Sequence, residues 1–299
     1  MSQAETTSTI QTRAMPNTVV FGFVKALAQE LSQGRVDLPS VPDIVLKMQR
    51  ALADEHVSNE TVVKVLGSEP VLASKLLAMA NSAALNTSGR KIADLRMAVA
   101  RVGFNIVRSA ALSFAVEQLK SAAQFKHLEP MLDALWKHSV QIAALSHVVA
   151  RRFTTLNGDT ALLAGLMHNV GRIYLLTRAS SHPALFADQL TYQSIVRDWH
   201  TNVTKALLEN WQVAEEIVDA VSSYEDLNRE MRGPVTLTDV LALASLLQQQ
   251  QHKAHGAMTE PTEPLVWALK RLQVRYVDCQ SVIDESASDI EDLKTVLGG

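Results

Sequence analysis

One stretch of eleven residues constrains the fold more than any other, because it is almost wholly apolar and yet contains a polar pair. Residues 161–171 read ALLAGLMHNVG. The apolar side chains fall on every side of a helix, so the stretch is predicted to be a central, buried helix. Small residues such as Gly165 let neighbouring helices approach closely. His168 and Asn169 must then find hydrogen-bonding partners, because an unpaired buried polar group is costly.

Composition favours a soluble helical protein. Of the 299 residues 47% are hydrophobic and only 5% aromatic, and Ala, Leu and Val dominate, which favours helices over sheets. The net charge of −3 gives the whole molecule no electrostatic reason to bind DNA or an anionic membrane. Cys279 is the single cysteine, so no internal disulfide is expected and a reducing compartment is indicated. The N-terminal residues lack an apolar core, so we expect neither a signal peptide nor a membrane anchor, and a cytoplasmic protein.

Apolar residues recur at helical spacing along the chain, and no segment reads as a strand. A long helix is predicted over 130–153, and Asp159 is the predicted cap of the central helix. Later helices are predicted near 184–190, 192–211, 213–224, 235–250, 264–274 and 286–297, with a polar linker from Gln248 to Pro264. Earlier helix starts are marked by capping residues or first-turn prolines: Pro16, the pair Ser40 and Asp43, Ser58, Pro70, Asp94 and Asn105. Gly34 and Gly103 are predicted helix ends.

These elements predict an all-α chain of two packed helical subdomains. Polar residues around 121–127 mark the boundary between them. The predicted organisation is a disordered tail over 1–15, an N-terminal helical subdomain over 16–125, a second helical subdomain over 126–251, and a linker with C-terminal helices over 252–299.

Several short motifs recur in an order that is similar to a known family. Residues 38–42 read LPSVP, 81–83 read NSA, 136–139 read WKHS and 165–171 read GLMHNVG; Trp211 and Asp239 follow. In this order the motifs resemble the HDOD domain, a helical relative of the HD phosphohydrolases. The resemblance spans about residues 36–250. It implies an HD-like fold for the second subdomain and a regulatory role in a bacterium.

The departures from the family pattern concern the residues that would carry catalysis. Asn169 stands where relatives often have aspartate, and residues 224–225 read Tyr-Glu where relatives often have His-His. Arg197 and Thr204 flank His200 where relatives favour glycine. The resemblance therefore implies a degenerate member of a family that is widely regarded as regulatory.

The residues that could form a metal site in this fold include too few carboxylates. A binuclear site needs several imidazoles together with carboxylates that neutralise and bridge the metal ions. The candidate cluster is His138, His168, Asn169, His200 and Asp239, of which Asp239 alone is acidic. We predict a relic of a metal site, in which each histidine donates a hydrogen bond to a backbone carbonyl or to Asp239, with no cofactor and no catalytic residue. One metal ion at His138, His168 and Asp239 is the alternative.

A basic segment gives a second candidate site. Between Arg90 and Lys126 the chain has seven basic residues and two acidic ones. Arg101 and Arg108 are seven apart, so an unbroken helix would place them on one face. The candidate patch for an anion or an acidic partner is Arg90, Lys91, Arg96, Arg101 and Arg108; a solvated positive face is the alternative. Aromatic residues for stacking are scarce there, which argues against nucleic acid.

Together these observations predict a non-enzymatic regulatory protein that binds a signalling partner protein, with a nucleotide or other small anionic ligand as a further option and no membrane partner. The alternative is a metal-dependent phosphohydrolase acting on a nucleotide or phosphoester. Asn169 and the missing His-His pair argue against that alternative.

Overall fold

The computed structural model describes residues 17–298 apart from 55, 87, 228, 230–232 and 255–259. The predicted tail over 1–15 lies outside the described residues. The described part is helical and contains no strand, which confirms the all-α prediction. Its α-helices are α1 (Asn17–Ser32), α2 (Asp43–Ala53), α3 (Asn59–Leu66), α4 (Pro70–Asn81), α5 (Leu95–Ser121), α6 (Glu129–Phe153), α7 (Gly158–Met167), α8 (Val170–Ala179), α9 (Pro183–Ala187), α10 (Gln189–Asn210), α11 (Glu215–Ser223), α12 (Leu237–Ala254), α13 (Glu263–Leu272), α14 (Tyr276–Glu285) and α15 (Ala287–Leu297). A short 3-10 helix (Ala123–Leu128) precedes α6.

Three of the predicted helix starts, at Ser58, Pro70 and Asp94, are confirmed. The Ser58 hydroxyl accepts from the backbone N–H of Thr61 at 3.1 Å, and the Asp94 carboxylate accepts from that of Met97 at 2.9 Å. Pro70 occupies the first turn of α4. These contacts satisfy backbone donors that a helix start leaves without an intrahelical partner.

Three predicted caps are wrong, those at Ser40, Asp159 and Asn105. Ser40 has a φ of +58°, and its hydroxyl accepts from the Gln124 side chain at 2.8 Å instead of capping α2. The left-handed backbone turns this side chain away from the helix start, and Pro42 precedes α2 without a side-chain cap. At α7 the cap is Asn157, whose Oδ1 accepts from the backbone N–H of Asp159 at 2.8 Å.

Gly103 interrupts α5. Its φ of 73° and ψ of 174° lie outside the helical region, so α5 has two halves that meet at a kink. Asn105 does not cap the second half, because its side chain donates to Thr160 at 2.9 Å and accepts from Arg108 at 3.3 Å. By length and apolar content, α5 alone among the described helices could cross a membrane. However, 67% of its apolar window is buried, which is typical of a core helix.

The prediction of a central buried helix is confirmed, but the stretch divides into two helices. α7 is buried along its length and packs on α6. A Cβ on Gly165 would lie 2.4 Å from Ala143 Cα, so only glycine permits this close approach. α8, which the sequence did not predict as a separate helix, starts immediately after Asn169. Both helices are apolar, which is why the sequence pattern did not separate them.

The C-terminal region differs from the prediction. α12 continues through Gln248 and Gln251 to Ala254, and Gln248 and Gln250 are buried, so the predicted linker does not start at Gln248. Three helices, α13 to α15, follow in place of the two predicted. The last of them is held in the core because Trp136 Nε1 and the Ser113 hydroxyl both donate to the Leu297 carbonyl, at 3.1 and 2.6 Å.

Candidate functional site

His168 lies at the end of α7 and is 2% exposed. Its Nδ1–H donates to the Gly165 carbonyl at 2.6 Å, which fixes the neutral tautomer. The ring centroid lies 5.4 Å from that of His138 on α6 and 5.6 Å from that of Tyr224, whose ring stands nearly perpendicular. Burial, helped by the charges of His138 and Arg172, lowers the pKa of His168 to about 3. The imidazole is therefore neutral at physiological pH.

Asn169 joins α7 to α8 and is 1% exposed. Its side-chain Nδ2 donates to the Leu135 carbonyl of α6 at 3.4 Å. Its Oδ1 is buried and has no hydrogen-bond partner among the described residues. An amide can donate to this carbonyl, whereas an ionised carboxylate cannot donate at all.

His200 on α10 belongs to a separate ion-paired group. Its Nε2 lies 3.0 Å from Arg172 Nη2 and 3.1 Å from Glu225 Oε2. Arg172 Nη2 and the Tyr224 hydroxyl both donate to Glu225 Oε1, at 3.2 and 2.7 Å. Burial alone would raise the pKa of Glu225, but the hydrogen bonds from His200 and Tyr224 and the charge of Arg172 lower it to about 2. Glu225 is thus an ionised carboxylate whose counter-charge is an arginine of the same chain.

Thr204 explains one departure from the family pattern. The backbone N–H of Gly171 donates to its hydroxyl at 3.1 Å, and this hydroxyl donates to the His200 carbonyl at 2.8 Å. A Cβ on Gly171 would lie 2.2 Å from the same carbonyl. The first turn of α8 is therefore fixed against α10 at the position of His200.

Asp239 lies in the first turn of α12 and is 3% exposed. Its Oδ2 accepts from the backbone N–H and hydroxyl of Thr236, at 2.9 and 3.1 Å, and from Arg271 Nε at 3.1 Å. Its Oδ1 accepts from Arg229 Nη2 at 2.9 Å. Both carboxylate oxygens of Asp239 therefore accept hydrogen bonds from these residues. The expectation that Asp239 would hold the histidines is wrong, because these partners are arginines and a threonine.

The cluster that the sequence predicted is therefore only partly assembled. The structure brings His138, His168 and Asn169 together between α6 and α7, whereas His200 pairs with Arg172 and Glu225, and Asp239 pairs with Arg229 and Arg271. Within the part of the chain that the structure describes, no three His, Cys, Asp or Glu side chains are grouped so as to hold a metal ion. The donor set does not fit the metal pair of a phosphohydrolase.

The predicted basic patch does not form one helix face. Arg101 and Arg108 lie on opposite sides of the kink at Gly103. Their separation of seven residues therefore does not place them on one helix face. Arg108 turns inward and donates to the Leu52 carbonyl at 2.6 Å, and burial lowers its pKa. The other three members of the patch, Arg90, Lys91 and Arg96, are exposed.

The sequence did not predict the residues that neutralise Asp239 and Glu225. Arg172 directly follows the GLMHNVG motif in an otherwise apolar segment, which is a signal that could have been used. From the sequence, Glu225 is seen only as a position where relatives often have histidine. Arg229 and Arg271 carried no such signal, because their contacts with Asp239 span 10 and 32 residues of sequence.

Comparison with known proteins gives the family. The HDOD domain model matches residues 38–227, well over half of the chain. An "Uncharacterized protein" from Treponema pallidum (strain Nichols) is 22% identical over 237 residues, which are 74% of this chain and 44% of that protein. The chain thus spans less than half the length of this relative.

Solved structures share the fold. A "Putative metal-dependent phosphohydrolase" from Shewanella amazonensis SB2B is 24% identical, with 94% of this chain and 99% of that one covered and a TM-score of 0.73. A Geobacter sulfurreducens HDOD domain protein with unknown function is 22% identical, with 94% and 97% covered and a TM-score of 0.58. A "Putative signal transduction protein" from Marinobacter aquaeolei VT8 is 20% identical, with 94% and 65% covered and a TM-score of 0.60. At these identities the similarity establishes the fold alone. The family match and the motifs together show that this chain is a member of the HDOD domain family.

Proposed function

We propose that this protein is a non-enzymatic regulatory protein of a bacterial signalling pathway, which works in the cytoplasm by binding a partner protein. The observation that carries the proposal is the pairing of the buried Asp239, and of the partly exposed Glu225, with arginines. Asp239 pairs with Arg229 and Arg271, and Glu225 pairs with Arg172. Cations of the chain therefore neutralise Asp239, the one carboxylate of the predicted cluster, and Glu225 as well.

The groups around His168 support the same proposal. Catalysis by two metal ions needs carboxylates that bridge or balance them. Asn169 supplies a neutral amide, and its Nδ2 donates to the Leu135 carbonyl. The Tyr224 ring stands against His168, where relatives often have the first histidine of a pair. The fold keeps its core although these positions differ. Such a fold is suited to signalling by contacts of its surface, without cleavage of a bond.

The signalling role draws support from the family. The Marinobacter aquaeolei structure bears the name of a signal transduction protein, and it shares this fold. We extend that role to the present chain as part of the proposal, with a signalling protein as the partner.

A metal-dependent phosphohydrolase is the second candidate, and one observation favours it. The Nδ1–H of His168 donates to a backbone carbonyl, which leaves Nε2 as the nitrogen with the lone pair. Metal-binding histidines in proteins are commonly oriented in this way. The nearby His138 ring would be the other nitrogen ligand.

Hydrolysis assays separate the two candidates. The purified wild-type protein is incubated with p-nitrophenyl phosphate, bis-p-nitrophenyl phosphate and nucleotides, each with added Mn²⁺, Zn²⁺ or Mg²⁺. We expect the wild type and His168→Ala to give the same turnover. The matched control is His56→Ala, which removes an exposed histidine. Metal-dependent turnover that His168→Ala abolishes and His56→Ala retains would establish the phosphohydrolase and overturn the proposal.

Partner binding is tested in the native cell. The tagged protein is crosslinked in vivo and purified under denaturing conditions, and its crosslinked peptides are identified by mass spectrometry. We expect one signalling protein in reproducible crosslinks that map to a single surface of this chain. Crosslinks scattered over the whole surface, with no recurring protein, would contradict a role in partner binding.

A further inference from the structure

A groove of about 490 Å³ lies between α6, α8 and α10, beside the ion-paired group of His200. This volume is in the range of ligand sites for small molecules. Its apolar lining comes from all three helices and includes Met131, Leu135, Leu176 and Val196. Arg172 and Glu225 are charged residues of the same lining. The groove thus offers both a surface for an apolar body and a charged anchor.

Arg172 has hydrogen-bonding capacity beyond its pairing with the protein. Its contacts with His200 and Glu225 both run through Nη2, at 3.0 and 3.2 Å. A guanidinium carries five N–H donors, and Nη1 is used in neither of these two contacts, although Arg172 also interacts with the Tyr224 hydroxyl. Its side chain is 32% exposed, so part of it is accessible from solvent. A carboxylate accepts strong, charge-assisted hydrogen bonds from a guanidinium.

The charges of the lining favour one negative charge on the ligand. Arg172 and Arg197 line the groove against one carboxylate, that of Glu225. Arg197 also lies 3.2 Å from Asp198, but both side chains are more than half exposed, and such pairs are weak. A monoanion would balance the remaining positive charge. A dianion such as a phosphomonoester would place excess negative charge beside Glu225.

We propose that this groove binds a small amphipathic carboxylate. The carboxylate would accept from Nη1 of Arg172, and the apolar body would cover Met131, Leu176 and Val196. Glu225, which accepts from Nη2 of Arg172, holds the arginine in place. The inference does not rest on the proposed regulatory function, because the groove would bind such a ligand whether or not the chain also hydrolyses phosphoesters.

The test uses decanoate as the anionic probe and decanol as its neutral counterpart, with binding to the full-length protein measured by isothermal titration calorimetry. We expect decanoate to bind about tenfold more tightly than decanol, because a charge-assisted hydrogen bond adds to the same apolar contact. Arg172→Gln should remove that preference and leave decanol binding unchanged. Equal affinities of the two probes for the wild type, or no saturable binding of decanoate, would overturn the inference.

A pair of oppositely charged variants at the groove rim provides a second test. Met131 is 36% exposed, so a polar residue there is compatible with folding. Met131→Glu and Met131→Lys remove the same apolar side chain and add opposite charges. Decanoate should bind at least several-fold more weakly to Met131→Glu than to Met131→Lys. Met97→Glu, at an exposed methionine of α5 outside the groove lining, should leave decanoate binding unchanged. Equal affinities for the two Met131 variants would contradict the site.

Discussion

The side-chain amide of Asn169 donates to the backbone carbonyl of Leu135, which couples the junction of α7 and α8 to α6. The same amide stands where many relatives have an aspartate. A residue that hydrogen-bonds to a carbonyl oxygen must be a donor, and this is the property that aspartate lacks when ionised. Asparagine therefore converts a position suited to a metal ion into one that links two helices.

Replacing Asn169 by aspartate should destabilise the protein. The carboxylate would face the Leu135 carbonyl without a donor and in a buried setting, which costs roughly 1–3 kcal/mol. Urea unfolding of Asn169→Asp and the wild type at pH 7 measures the difference. Added Mn²⁺ should recover part of the loss by binding the folded variant. A variant as stable as the wild type without metal would mean that this position is hydrated.

The pair of Arg271 and Asp239 should matter far more to stability than an exposed pair. Removing Arg271 leaves a carboxylate that is 3% exposed with only part of its counter-charge, so Arg271→Met should cost about 3 kcal/mol. The matched control is Arg275→Met, because Arg275 pairs with Asp278 at the surface and is itself 82% exposed. That change should leave the melting temperature almost unchanged, because exposed ion pairs contribute little to stability. Similar losses in the two variants, measured by thermal unfolding, would contradict the buried pairing.

Acid should destabilise the fold through His168 and Glu225. The pKa of His168 falls from 6.5 to about 3 on folding, so the folded state resists protonation and stability declines as pH falls from 6.5 towards 3. The pKa of Glu225 falls from 4.5 to about 2, which adds a further decline below pH 4.5. Urea midpoints between pH 7 and 4 measure the slope. His168→Gln should flatten the part between pH 6.5 and 4.5, and an unchanged slope would exclude His168 as its source.

Glycine at position 171 should be irreplaceable. A Cβ there would lie 2.2 Å from the His200 carbonyl, so Gly171→Ala forces α8 away from α10 and should cost about 3 kcal/mol. The matched control is Gly22 in α1, where a Cβ would have nothing within 4 Å, so Gly22→Ala should stabilise by up to about 1 kcal/mol. Opposite shifts in melting temperature are expected from the same chemical change. Shifts of the same sign would contradict the close approach of α8 and α10.

The fold was largely predictable from the sequence because its determinants are local. Ser58 and Asp94 cap their helices through backbone groups three residues away, and the apolar pattern around Gly165 predicted the buried central helix. Capping failed where the backbone was unusual, as at Ser40, whose positive φ no sequence pattern indicated. The break at Gly103 was predicted, but its consequence for the basic residues on either side was not.

The candidate site was less predictable because its contacts join distant segments. His168 and Asn169 were recognised from their motif. The partners of Asp239 were not, since Arg271 lies in a helix beyond the family motifs. Glu225 was interpreted as the loss of a histidine, whereas the structure makes it the counter-ion of Arg172 and a hydrogen-bond acceptor for Tyr224. The type of a residue alone does not show which distant charged residue it will pair with.

We propose that arginines and hydrogen bonds balance the polar groups of this site, as metal ions do in the HD phosphohydrolases. The most direct test is the metal content of the protein, purified without chelators and measured by inductively coupled plasma mass spectrometry. We expect far less than one transition-metal ion per chain. Two ions per chain, removed by a chelator together with a phosphatase activity, would contradict the claim.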